Sequence, residues 1–178
     1  MKKDFVVPIL TLTLVCLIIA GALALVNNAT QPIIEAAADE RAYTARKEII
    51  PEADEFILLE TDGLPKTVLE AYGTGNGMGY IFTVVASGYG GDVKIICGID
   101  PEGRIIKSAV LAHSETQGLG TAVFDIADRY EGLDKNLAGI DALAGATITS
   151  NAYKNAVSDA FEAFEIVSAG IREVFADE

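Results

Sequence analysis

Hydrophobic and polar positions change pattern three times along the chain. Residues 5–26 read FVVPILTLTLVCLIIAGALALV, 22 positions without a charge. At 1.5 Å of rise per residue this run crosses roughly 30 Å of hydrocarbon, so it predicts a transmembrane helix. Pro8 is expected within the first turn of that helix, where a missing amide donor does little harm. Residues 31–49, QPIIEAAADERAYTARKEI, are rich in Ala, Glu, Arg and Lys, with Ile33, Ile34, Ala37, Ala38, Tyr43 and Ile49 as candidates for one face. This predicts a helix leaving the membrane, which Pro51 ends. ADEFILLE then suggests a short strand, and residues 61–78 are turn-rich, with many of the 17 glycines.

The middle of the chain changes to strand patterning. GYIFTVVAS (79–87), DVKIICGI (92–99) and RIIKSAVLA (104–112) are rich in β-branched or aromatic residues and are joined by GYGG and DPEG. Such short turn-forming connectors predict a three-stranded antiparallel meander. HSETQGLG (113–120) reads as a loop. In TAVFDIADRYEGL, Val123, Ile126, Ala127 and Tyr130 fit a short helix, and residues 134–150 read as loop or short strand. From 151 to about 169 the apolar residues Ala152, Tyr153, Ala156, Val157, Ala160, Phe161, Phe164 and Val167 recur at three and four, predicting a helix with one buried stripe.

The expected fold is α+β: one N-terminal transmembrane helix, then a small domain in which an antiparallel meander is flanked by helices. The expected divisions are a tail (1–4), a span (5–26), a juxtamembrane helix (27–50) and a soluble domain (51–178). Lys2 and Lys3 precede the span, so the basic-side bias puts the tail in the cytoplasm and the domain outside a cytoplasmic membrane. Ala22-Leu23-Ala24 also offers a signal-peptidase pattern, but the apolar run exceeds the usual core of about 7–15 residues, which favours a retained anchor. A lipid anchor on Cys16 is disfavoured by the bulky Val15 before it.

Without residues 1–26, 11 basic side chains face 25 acidic ones. That surface repels nucleic acid and anionic lipid, so no nucleic-acid partner is expected. Two cysteines, Cys16 in the span and Cys97 in a strand, form no plausible disulfide, and His113 is the single histidine. Haem with two protein ligands, Cys-ligated iron–sulfur clusters and His-rich zinc sites therefore lack their ligands, and no metal site is expected. Any redox chemistry must rest on an organic cofactor.

One stretch concentrates small and hydroxylated residues: DALAGATITSN, residues 141–151, directly before the last helix. Ser150 or Thr149 is a candidate N-cap, which places Thr147 just outside the first turn. The orphan amides and positive dipole end of a helix suit a phosphate, and Gly145 and Ala146 let one approach the backbone. On the residues alone two readings stand: a helix cap after a tight turn, or a phosphate-sized pocket bearing a hydroxyl nucleophile.

The segment from Asp141 to Thr147 resembles the D-x-x-S/T-G-A-T flavinylation motif of the RnfG and NqrC subunits of bacterial respiratory complexes. In that family FMN is esterified through its phosphate to the threonine after Ala. Ala144 departs from the pattern, standing where the family has Ser or Thr. GYGG (88–91) and the hairpin after it are similar to a second family feature. HSETQGLG resembles the family loop H-x-E-T-P-G-L-G, with Gln117 in place of Pro. The compact length favours the RnfG side of the family, since NqrC ectodomains carry extra segments.

The resemblance implies an electron-carrying flavoprotein subunit of the Rnf ferredoxin:NAD oxidoreductase complex, which couples electron flow to sodium or proton translocation. The chain alone would be an electron carrier, and the complex the translocase. Thr147 would hold FMN covalently, attached by an ApbE-like flavin transferase using FAD. Asp141 would orient the acceptor, assist the transfer metal or cap a turn, while Gly145, Ala146, Thr149 and Ser150 would surround the phosphate. Glu115, Thr116, Gly118 and Leu119 would lie near the flavin ring, and Tyr89 would approach the flavin or pack against the turn. His113, counted among the cofactor-binding residues, would take part in proton transfer or, in the favoured reading, make a structural hydrogen bond at the strand end. The other subunits of the complex are the implied partners. Three alternatives remain at this level: a flavin-free binding or assembly module of the same fold, an NqrC-like subunit of a sodium-pumping NADH:quinone reductase, or a hydrolase built on His113 and Ser114. In the last, adjacent strand residues point to opposite sides, which is poor geometry for a nucleophile and its base.

Overall fold

A computed structural model describes residues 2–176. The chain divides into two units, one running to Arg41 and the other starting at Ala42.

The described residues of the first unit are helical, as part of α1, Lys2–Ile49. The expected span and juxtamembrane helix are one unbroken helix. Within residues 6–26 the large apolar side chains are exposed, among them Leu10, Leu17 and Leu25 at 64%, 67% and 74%. The hydroxyls of Thr11 and Thr13 donate to the carbonyls of Val7 and Ile9, both at 2.9 Å, so neither would be left unpaired in hydrocarbon. Length and composition make α1 able to cross a membrane. Pro8 is not in the first turn as expected. The helix already runs at Lys2, so Pro8 and Pro32 both lie inside it, each removing one ladder donor.

The second unit contains the last turns of α1 and a five-stranded antiparallel sheet in strict chain order: β1 Phe56–Leu59, β2 Val68–Thr74, β3 Tyr80–Ser87, β4 Asp92–Ile99 and β5 Ile105–His113. The expected three-stranded meander is β3–β5. Two strands precede it, and β2 (VLEAYGT) runs through the segment read as turns. After β5 come a 3-10 helix, Thr121–Tyr130, and the long α2, Thr147–Ala176.

Both faces of the sheet are covered, which explains why β4 is nearly continuously apolar rather than alternating. On one face Phe82, Val84, Ile95, Cys97 and Ile99 pack under Tyr153, Val157, Ala160, Phe161 and Phe164 of α2, with Val123, Ala127 and Tyr130 of the 3-10 helix. Phe82 has no exposed surface, and truncating it to Ala is expected to cost about 3–5 kcal/mol. On the other face Ile81 and Ile96 meet Ile49, Ile50 and Ala53. Gly98 permits that approach, since a Cβ there would collide with Ile49 Cγ2. Tyr153 donates its hydroxyl proton to Ser108 Oγ at 2.8 Å inside the first core.

α2 begins four residues earlier than the expected Asn151. The cap is Ala146, whose carbonyl accepts the Ser150 amide at 2.9 Å. Neither Thr149 nor Ser150 is the N-cap; both lie in the first turn, at 1% and 6% exposure. The Ser150 hydroxyl is used elsewhere: it donates to the Ala146 carbonyl at 2.9 Å and accepts the Leu143 amide at 3.0 Å. A side chain so engaged cannot fold back to cap its own helix.

Candidate functional site

The start of α2, the turn between β3 and β4, and the loop after β5 converge on one cavity of about 420 Å³. Such a volume is in the range of small-ligand sites. Each wall follows from local sequence. Gly145 sits at φ +86°, a conformation glycine adopts freely, and it turns the chain into α2. Ala146 then starts the helix, leaving the amides of Thr147, Ile148 and Thr149 without an acceptor among the described residues. These amides and the positive end of a 30-residue helix favour an anion. Thr147, Ile148 and Thr149 all line the cavity, and the Thr147 side chain is exposed.

The opposite wall is organised by Glu115. This residue is only 8% exposed, and its Oε1 accepts the Gly90 amide at 3.1 Å. Its Oε2 is buried and meets no partner among the described residues. Three glycines make room for it: a Cβ on Gly88 or Gly120 would collide with the carboxylate, and one on Gly90 would collide with the Ser114 carbonyl oxygen. The Tyr89 amide donates to Thr149 Oγ1 at a long 3.5 Å, joining the turn to the helix start. Tyr89, Leu119 and Ile148 bring apolar surface to the mouth and are 74%, 54% and 56% exposed.

Of the twelve residues expected at the site, eight line this cavity: Tyr89, Glu115, Thr116, Leu119, Gly145, Ala146, Thr147 and Thr149. The other four lie outside its wall. Ser150 braces residue 143 from within the helix, as described. Gly118 donates its amide to Thr121 Oγ1 at 2.9 Å and shapes the loop at φ +83°. His113 accepts the Glu115 amide on Nδ1 at 3.2 Å and packs its ring 4.9 Å from that of Phe124. Asp141 is exposed. Two lining residues, Gly120 and Ile148, were not singled out. An isoleucine between two threonines at a helix start gives no sign in sequence that it will face a cavity.

No lining residue is a lysine or arginine. An anion here would be met by backbone amides and the helix dipole, with apolar side chains available to an attached aromatic body.

Comparison with known proteins agrees with this arrangement. Residues 88–162 match the FMN-binding domain family, a range that takes in all three walls of the cavity. The G subunit of the ion-translocating oxidoreductase complex of Shewanella piezotolerans is 30% identical, covering 88% of each chain. The G subunit of the proton-translocating ferredoxin:NAD(+) oxidoreductase complex of Clostridium ljungdahlii is 26% identical over 89% of this chain and 91% of its own. The Na(+)-translocating counterpart in Acetobacterium woodii is 28% identical over 89% and 91%. The chain belongs to the family of G subunits of the ion-translocating oxidoreductase complexes, and it carries an FMN-binding domain.

Proposed function

We propose that this chain is the membrane-anchored electron-transfer subunit of an ion-translocating ferredoxin:NAD oxidoreductase complex, with FMN esterified through its phosphate to Thr147. The names of its relatives support the complex, and α1 supports the anchor. In this reading the N-terminus is cytoplasmic, the second unit lies outside the membrane, and a flavin transferase using FAD makes the attachment.

The observation that carries the assignment of Thr147 is its place: the first residue of α2, exposed, on the cavity wall, beside three open amides. Those amides fit the phosphate end of FMN, and Tyr89, Leu119 and Ile148 fit an aromatic ring. A phosphodiester to Thr147 would keep the phosphate at these amides, which with the helix dipole can hold it without a lysine or arginine. Thr149 stands in the same turn but is 1% exposed, so its hydroxyl does not compete as acceptor.

When bound, FMN supplies electron acceptance and donation, singly or in pairs. The chain's own work is to hold and shield. Glu115 fixes the loop after β5 against the β3–β4 turn, and Leu119 on that loop limits water on one side of the cavity.

The purified full-length chain, coexpressed with its transferase, should give a fluorescent band in a denaturing gel and an intact mass heavier by one FMN. Thr147→Ala should lose both signals, while Thr147→Ser, which keeps a hydroxyl at the helix start, should retain them. A fluorescent band that persists in Thr147→Ala would overturn the assignment.

A further inference from the structure

β1 is the open edge of the sheet. Among the described residues it pairs with β2 alone, whereas the far edge, β5, is closed at its start by Ile105 donating to Leu133 (2.9 Å) and accepting from Gly132 (2.8 Å). The Glu55 carbonyl accepts the Gly75 amide at 3.2 Å, and β1 continues in register from Phe56↔Thr74 to Leu59↔Ala71. By the alternation of an antiparallel ladder, the backbone groups of Ile57 and Leu59 then point to β2, and those of Phe56 and Leu58 point outward. Apolar side chains surround this free edge, with Leu58 65%, Ile57 48% and Leu69 44% exposed.

Acids bracket it. Asp54 and Glu55 precede the strand, Glu60 and Asp62 follow it, all four are exposed, and none is in an ion pair among the described residues. The nearest cations are engaged elsewhere: Arg46 lies 3.6 Å from Glu70 and stacks on Tyr72, and Lys47 donates to the Ala53 carbonyl at 2.6 Å. Two copies of this chain joined through β1, parallel or antiparallel, would set acid against acid, so the flanks oppose self-association.

We propose that β1 is a docking edge for another protein, which adds an extended segment as a sixth strand, apolar at alternate positions and bearing lysine or arginine at both ends. Backbone hydrogen bonds to Phe56 and Leu58 supply the attachment, Leu58 the apolar contact on the face that the partner's apolar positions share, and the bracketing acids the choice of partner.

The test uses the full-length chain in zwitterionic lipid nanodiscs and two synthetic peptides, each of six alternating valines and threonines, one bracketed by lysine pairs and the other by glutamate pairs. The lysine peptide should slow amide exchange at Phe56 and Leu58 on the order of tenfold, and the glutamate peptide should not. Binding should weaken in about 0.5 M salt, where charge attraction is screened within a few Å. Leu58→Pro, which removes an outward amide without breaking the β1–β2 ladder, should abolish the protection. Glu60→Lys, an exposed change, should reduce it. Equal binding of both peptides, protection mapping away from β1, binding that survives Leu58→Pro, no binding of either peptide, or dimers of the chain formed through β1 would each overturn the proposal.

Discussion

Glu115 Oε1 accepts the Gly90 amide at 3.1 Å, and this one bond ties the loop after β5 to the turn between β3 and β4. Glu115→Ala leaves that amide without its partner and is expected to cost about 1–2 kcal/mol, read as a lower melting temperature. Glu115→Gln keeps an acceptor in place and should cost less.

The glycines around Glu115 give a sharper test. Gly88→Ala drives a Cβ into the carboxylate and to 3.1 Å from Val93 Cγ2, an overpacking worth about 1–3 kcal/mol. Since the closest atom belongs to Glu115, Glu115→Ala should recover part of that loss, a non-additivity visible in a double-mutant cycle. Gly90→Ala meets the Ser114 carbonyl oxygen and lies 2.9 Å from Glu115 Cα. Its obstacle is backbone, so Glu115→Ala should not rescue it.

At the other wall, Gly145→Ala places a side chain at φ +86° and should cost about 1–2 kcal/mol. Ser150→Ala strands the Leu143 amide, now 3.0 Å from the hydroxyl, at about 1 kcal/mol. Both loosen residues 143–146. Under the proposed function, both should lower the fraction of chain carrying flavin in a gel assay while leaving Thr147 intact.

Burial of neutral groups predicts an alkaline limit to stability. Desolvation raises Cys97 from its ordinary 9.0 to about 12 and Tyr130 from 10.0 to about 12. Tyr153 is also raised, chiefly by burial, which outweighs the opposing effect of its bond to Ser108. In each case the unfolded chain loses its proton first. The contribution is complete below pH 9 and falls as pH rises from 9 toward 12. Melting temperature measured against pH should decline over that window. Cys97→Ala should remove the part that begins near 9, leaving the part that begins near 10 from the tyrosines.

Arg46 makes a further prediction. Its guanidinium lies 4.3 Å above the Tyr72 ring and 3.6 Å from Glu70, which holds the end of α1 on the sheet. Arg46→Lys loses the planar stack and should cost about 1 kcal/mol in a denaturant titration.

Much of this was legible in sequence, for reasons particular residues make plain. β3, β4 and β5 declared themselves because GYGG and DPEG punctuate unbroken β-branched runs. β2 did not: Glu70 and Gly73 interrupt it, and its register shift at Leu69 breaks the alternation that marks a strand. The start of α2 was misplaced because Ser150 looks like a cap and is a brace, a distinction that depends on the Leu143 amide seven residues away. The cavity's hydroxyl and glycine positions could be named from the motif. That Glu115 would be buried with an oxygen unpartnered, and that Ile148 would face the cavity, depends on packing between elements more than twenty residues apart in sequence.

The chain-order sheet sets a schedule for assembly. Each strand pairs with the one made just before it, so the sheet can grow from β1 to β5 as the polypeptide is delivered, with only short loops to close. α2 comes last, and Thr147 is its first residue. The Thr147 hydroxyl therefore meets the other walls only when the final helix has docked, so under the proposed function a truncated or half-folded chain would offer a flavin transferase no finished site. Pulsed amide exchange during refolding should find residues 81–99 protected before residues 153–161 in the body of α2.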